Sequence, residues 1–169
     1  VDEKKAGIFL TNSRDIIIGE PLRPNCFSNS YAGILGPFII PRRDNMNIKI
    51  SSNIFGLGEN GVNSQPNDSG IDISFLNNST IGGETTAEGN LFGGNNQTGI
   101  AVAAAIETIK ISNNKIGFNI NGIPIISNTA NGIYVNGQTA KPKIKKNTIA
   151  GQLKGIYIYF VNGGFEVED

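Results

Sequence analysis

Two aspartates bracket one glycine in Asn67-Asp68-Ser69-Gly70-Ile71-Asp72, the first place in this chain to look for a calcium ion. Calcium takes about six to eight oxygen ligands. Asp68 and Asp72 alone supply too few, and a turn aspartate followed by an exposed strand residue accounts for them more simply. The charged run Arg42-Arg43-Asp44, and Glu84 and Glu88 in "GETTAEG", could meet a substrate, but they read first as solvated loops. Tyr134, Tyr157 and Tyr159 are spaced to share one face, and exposed aromatic rings can stack on sugar rings. Packing against a neighbouring coil or a long loop would explain the same tyrosines. Lys49, Lys110 and Lys143 recur at equivalent places and would form a basic stripe able to meet an acidic polysaccharide. A charged, solvated face that discourages sheet-to-sheet adhesion is the plainer account of them.

What is missing narrows the chemistry further. The chain has 169 residues and no histidine. The usual neutral-pH base is therefore absent, and Ser-His-Asp and Cys-His catalysis are excluded within this chain. Fourteen Lys+Arg balance fourteen Asp+Glu, which argues against a nucleic-acid partner. No stretch is apolar enough to span a bilayer, so no membrane insertion is expected. The single cysteine, Cys26, cannot form an internal disulfide and is expected to act as a small hydrophobe. The charged opening "VDEKK" is no signal peptide, and the chain is expected to be a segment of a longer protein. No cofactor is expected; calcium is the one that the carboxylates leave open.

The elements that must carry these residues emerge from a repeat. A Gly-Ile pair followed by alternating residues recurs at Gly7, Gly33, Gly70, Gly99, Gly132 and Gly155. Single steps are irregular, yet Gly7 to Gly70 is 63 residues and Gly70 to Gly132 is 62, so a unit of two coils repeats. An Asn-x-apolar step marks each coil at Asn25, Asn53, Asn90, Asn114 and Asn147. The gap from each asparagine to the next Gly-Ile runs 8, 17, 9, 18 and 8 residues, alternating short and long. A third strand ("IIIG", "IKIS", "STIGG", "IKIS", "PKIKK") lies between the two markers. Three short strands per turn describe an all-β parallel solenoid of about five to six coils, one domain over residues 1–169.

Alternation places Ile8, Leu10, Ile34, Ile71, Ile73, Ile100, Val102, Ile133, Val135, Ile156 and Ile158 inward. Phe27, Phe55, Phe92, Ile116 and Ile149 form a second inward stack. The outward column of the Gly-Ile strands reads Phe9, Leu35, Asp72, Ala101, Tyr134 and Tyr157. The five marker asparagines are expected to stack at one corner, satisfying its backbone, and the glycines to supply positive φ. "GIAVAAAIETIKI" from Gly99 is alanine-rich and helix-compatible, but its register with the other markers favours strand, turn, strand. Thr11, Thr80 and Thr148 form no regular rank, which excludes an ice-binding face.

"NSTIGGETTAEGNLFGGNNQTGIAV" followed by "NNKIGFNINGIPIISNTANGIYV" resembles the right-handed parallel β-helix repeat proteins of the pectate-lyase-like superfamily. The particular resemblance is to segments of large bacterial secreted or surface proteins, and it covers essentially the whole chain. It implies a right-handed winding and an extracellular or cell-surface location. It also implies one of three roles: a non-catalytic structural or glycan-binding segment, a polysaccharide lyase whose catalytic coil lies partly outside these residues, or a spacer that self-associates end to end through its open coils. The hydrolase pattern of the superfamily uses a Gly-His-Gly segment, which a chain without histidine breaks.

Overall fold

The computed structural model describes residues 5–37, 44–105, 107–125, 130–137 and 141–168. Short strands follow one another in circuits. The first circuit holds β1 (Ala6–Phe9), β2 (Ile17–Ile18) and β3 (Cys26–Phe27). The second holds β4 (Ala32–Leu35), β5 (Asn45–Met46), β6 (Lys49–Ile50) and β7 (Ile54–Phe55). The third holds β8 (Ser69–Ser74), β9 (Leu76–Asn77), β10 (Ser79–Gly82), a 3-10 turn (Thr86–Glu88) and β11 (Leu91–Phe92). β12 (Ile100–Ala103), β13 (Thr108–Ser112) and β14 (Lys115–Ile116) make the fourth. β15 (Asn131–Asn136), β16 (Lys141–Lys145) and β17 (Thr148–Ile149) make the fifth, and β18 (Lys154–Tyr159) and β19 (Glu166–Glu168) follow.

Among the described residues every pairing between these strands is parallel. Sheet I runs β1-β4-β8-β12-β15-β18, sheet II runs β2-β6-β10-β13-β16-β19, and sheet III runs β3-β7-β11-β14-β17. A two-stranded pair, β5-β9, sits apart from them. A parallel neighbour needs a crossover; here the crossover from one strand to its partner passes through the other two sheets. The chain is thus nearly all β with parallel sheets, compatible with a β-helix. The alanine-rich stretch after Gly99 forms β12 and β13 rather than a helix.

Register explains why β-branched residues dominate. Ile8 pairs with Ile34, Ile34 with Ile71, Ile71 with Ile100, Ile100 with Ile133 and Ile133 with Ile156. Ile34, Ile71, Ile100 and Ile133 are fully buried, as are Ile50, Ile81 and Ile111 of sheet II. Like stacks on like because parallel strands align identical positions roughly 4.8 Å apart. In sheet III the rings of Phe27, Phe55 and Phe92 stack at centroid distances of 5.1 and 4.6 Å, and Ile116 continues the column. Ile8, Ile149, Ile156 and Ile158, at the two ends, are only partly buried.

One expectation is met here and one is corrected. The positive φ expected of glycines at the corners is found there, whereas the Gly-Ile glycines Gly33, Gly70, Gly99 and Gly132 lie outside that region and are required by close approach. A Cβ on Gly70 would lie 2.5 Å from the Phe92 ring and 2.6 Å from the Gly99 carbonyl oxygen. The same contact recurs between Gly33 and Gly70, and between Gly99 and Gly132, at 2.8 Å. Left-handed geometry falls on other glycines, such as Gly56, Gly82 and Gly117, and on Ser52, Asn113 and Lys146 just before the marker asparagines. Leu35, assigned outward by alternation, is only 4% exposed, so the outer face of sheet I is covered at that point.

The long excursions after Asn53 and Asn114 are two copies of one hairpin. Gln65 N–H donates to the Gly56 carbonyl at 3.0 Å, and Ile125 N–H donates to the Gly117 carbonyl at 2.7 Å. Both turn on a glycine with positive φ, Gly61 and Gly122, in "GLGENG" and "GFNING". Ile120 N–H donates to the Gly61 carbonyl at 2.9 Å, so the second hairpin rests on the first across the intervening circuit.

Candidate functional site

Where sheet II turns into sheet III, the five marker asparagines form a continuous side-chain ladder. Asn25 Nδ2 donates to Asn53 Oδ1 at 2.9 Å, Asn53 to Asn90 at 3.2 Å, Asn90 to Asn114 at 3.0 Å and Asn114 to Asn147 at 3.0 Å. Each accepting oxygen from Asn90 onward also takes the backbone N–H of the preceding asparagine, at 3.0 Å every time. The amides reach inward as well, Asn90 Nδ2 to the Ile50 carbonyl at 2.8 Å and Asn114 Nδ2 to the Ile81 carbonyl at 3.0 Å. Asn53, Asn90 and Asn114 are buried, so these bonds are shielded from water. The side-chain amides in this way meet backbone groups that the corner leaves open. A second ladder, invisible as a marker, joins Asn67 Nδ2 to Asn95 Oδ1 at 3.1 Å on the other side of sheet III.

The tyrosines meet on the outer face of sheet I. Tyr134 pairs with Tyr157 in register and Asn136 with Tyr159. Ring centroids step 5.6 Å from Tyr134 to Tyr157, 6.2 Å to Tyr159 and 6.1 Å to Phe160. Phe160 was missed by the sequence because strict alternation sends it to the opposite face; its φ of 56° ends the alternation and turns its ring beside Tyr159. Tyr159 and Phe160 are 52% and 53% exposed. Tyr134 and Tyr157 are half-buried, and Asn136 Nδ2 donates to the Tyr134 hydroxyl at 3.2 Å. The Lys154 ammonium lies 3.9 Å from the Tyr157 ring centroid, in cation–π range. The result is a run of four rings with one cation at its edge.

The three lysines share one outward column of sheet II. Lys49 pairs with Thr80, Thr80 with Lys110, Lys110 with Lys143 and Lys143 with Glu166. Each faces a carboxylate: Lys49 to Glu88 at 2.7 Å, Lys110 to Glu84 at 3.8 Å and Lys143 to Glu166 at 3.0 Å. Lys145 joins Glu166 at 3.1 Å and Glu168 at 3.0 Å. The stripe is therefore a set of ion pairs rather than a bare basic track. Its glutamates come from the 3-10 turn and the bend before it, and from β19, a strand with no Gly-Ile or Asn marker to announce it. Glu88 is more than a solvated turn residue. Its carboxylate takes the Lys49 ammonium, the Glu84 and Thr85 backbone N–H groups at 3.0 Å each and the Thr85 hydroxyl at 3.1 Å. The Lys49 bond first, then those from Thr85, hold its carboxyl down to about 2. A groove of about 390 Å³ runs beside this column, lined by Glu84, Lys110, Lys143, Lys145, Lys146 and Glu168 among others. Hydrogen bonds donated to Glu168 and Glu166 raise the Lys145 ammonium above its ordinary value, which keeps it protonated and unfit as a base.

The other candidates stay apart. Asp68 Oδ1 accepts from Asn96 Nδ2 at 3.4 Å, and Asp72 lies in mid-β8 on the outer face. Among the described residues no three Asp, Glu, His or Cys side chains gather as a metal would require. Arg42 and Arg43 lie outside the described residues, and Asp44 is half-buried just before β5. Cys26 is exposed on β3 rather than packed as a small hydrophobe. Desolvation first, then the Glu59 charge, raises its thiol, so thiolate is scarce at neutral pH. Among the described residues no helix is long and apolar enough to cross a membrane. No protein-family model, curated protein or solved structure matches the chain.

Proposed function

We propose that the chain is a right-handed parallel β-helix of five to six coils, related to the pectate-lyase-like superfamily, that serves as a non-catalytic structural and glycan-binding segment of an extracellular or cell-surface protein. The run of rings Tyr134, Tyr157, Tyr159 and Phe160 carries the binding part of this proposal. Steps of 5.6–6.2 Å between centroids make one contiguous aromatic surface on which sugar rings can stack, and Lys154 at the edge favours an acidic glycan. Support for a non-catalytic role comes from side chains already engaged: Glu88, Glu166 and Glu168 each hold a lysine, and the chain has no histidine.

A second reading, a polysaccharide lyase, is favoured by one observation. The groove beside sheet II brings Glu84 and Glu168 together with four lysines. The raised Lys145 weighs against it, because a lyase needs a cation that can lose its proton.

A glycan panel screened with and without calcium tests both. The expected result is binding without product, weakened about tenfold or more in Tyr134→Ala/Tyr157→Ala. Release of product from a bound acidic glycan would replace the binding role with the lyase. Absence of binding to every glycan would remove the ring platform and leave a structural rod or a spacer that self-associates.

A further inference from the structure

The outer face of sheet III holds a groove of about 300 Å³ in the middle circuits, on a different sheet from the aromatic rings. Its floor is the outward column of β7, β11 and β14, where Ile54, Leu91 and Lys115 pair in register. On one side stand the turn at residues 20–23, which brings Leu22, and the 3-10 turn with Ala87. On the other stands the second hairpin, with Ile120. Ile54 is 6% exposed and Leu91 is partly buried, so the floor is apolar until Lys115. The Lys115 side chain is exposed and has no carboxylate in ion-pair reach among the described residues.

Leu22 is the unusual residue of this groove. Arg23 N–H donates to the Glu20 carbonyl at 3.2 Å, which closes a turn with Pro21 and Leu22 in its central places. The Leu22 φ of 69° makes it the third residue of a type II turn, a place that favours glycine or asparagine. Its side chain is also 97% exposed. A leucine there strains the backbone and leaves its apolar surface in water, and the fold gains no burial from either.

We propose that this groove docks an amphipathic helix of a partner protein, with two apolar side chains one turn apart and a carboxylate one turn further on. Floor residues on successive strands lie about 4.8 Å apart, so Ile54 and Lys115 are separated by about 9.6 Å. A helix presents residues i, i+4 and i+7 over about 10.5 Å. Its apolar pair then covers Ile54 and Leu91 between Leu22 and Ile120, and its acid meets Lys115. An extended peptide repeats a face every 6.7 Å or about that, and falls out of step. The amides beside the groove are committed within the chain. Asn113 Nδ2 donates to the Gly83 carbonyl at 2.7 Å, Asn119 Oδ1 accepts the Asn121 and Ile123 N–H groups at 3.0 Å, and Asn53 and Asn90 belong to the ladder. A sugar or a bare strand would want those amides, and no aromatic ring lies among the residues that line the groove. A helix satisfies its own backbone and asks only for apolar contact and one charge.

The experiment is an NMR titration of the isotope-labelled chain with an alanine-based helical peptide carrying leucine at i and i+4 and glutamate at i+7. The expected shifts centre on Leu22, Ile54, Leu91, Lys115 and Ile120. Lys115→Glu should weaken binding about tenfold or more, and a peptide with lysine in place of its glutamate should restore it. Leu22→Gly should also weaken binding, yet raise the urea midpoint, because glycine takes a positive φ without strain. No shifts at millimolar peptide, shifts on another face, no recovery on charge exchange, or a lower midpoint for Leu22→Gly would overturn the proposal. Shifts at this groove caused by an acidic oligosaccharide, or by concentrating the chain alone, would assign it to a glycan or to a second copy and also overturn it. The ring platform on sheet I is untouched by any of these variants, so its glycan binding stands or falls separately.

Discussion

The Asn90 side chain shows how much one amide does in this molecule. Its Oδ1 takes the Asn53 N–H, and its Nδ2 reaches the Ile50 carbonyl. Asn90→Ala leaves both backbone groups buried and unpaired, so it should cost about 2–5 kcal/mol in urea unfolding. Asn25→Ala removes one bond at an exposed end and should cost less than about 1 kcal/mol. Equal losses would show that the ladder does not carry load along its length. Glu88 sets a pH dependence of known sign. Its folded-state carboxyl titrates near 2, below its ordinary value of 4.5, so its stabilising share is present above about pH 4.5 and is lost as pH falls toward 2. Glu88→Gln should flatten that part of the acid limb in a stability–pH profile; an unchanged limb would mean that the Lys49 bond does not persist in solution. The ladder positions were legible because an asparagine recurs once per circuit. Glu88 was not, because its partners are a lysine 39 residues away and its own turn.

Three short strands per circuit were equally legible, since in-register stacking forces the same apolar pattern to recur. β19 was not, for a strand paired through Lys143–Glu166 and Ile144–Val167 needs no glycine and no asparagine. The hairpins were visible as longer gaps, but their contact was hidden, because Ile120 meets Gly61 only once two circuits are stacked. The marker glycines were legible as a repeat, but the reason for them, close approach, was not, and it makes a prediction. Gly70→Ala drives a methyl into the Phe92 ring and the Gly99 carbonyl, and should cost about 1–3 kcal/mol. A Cβ on Gly155 meets nothing within 4 Å, so Gly155→Ala should stay within about 0.5 kcal/mol. Urea midpoints of the two variants make the comparison, and similar losses would argue for a conformational rather than a steric role. The aromatic face was half legible: three tyrosines by register, but not Phe160, whose left-handed backbone breaks the alternation.

Among the described residues each circuit leans chiefly on the circuits before and after it, through three sheets and the asparagine ladder, with the Ile120–Gly61 bond between hairpins two circuits apart as an addition. Stability in such an array is nearly a sum of neighbour contacts, and its ends open first. The central circuits are also the driest: Ile71, Phe55, Phe92, Ile81 and Ile100 are fully buried, while Ile8 and Ile156 are not. Residue-resolved hydrogen exchange tests this arrangement most directly. Protection should rise from β1 and from β18 toward β8, β10 and β11, and residues of one circuit should exchange alike although up to about two dozen residues separate them in sequence. Protection that followed sequence blocks instead, with one sheet slow and another fast within the same circuit, would contradict the account.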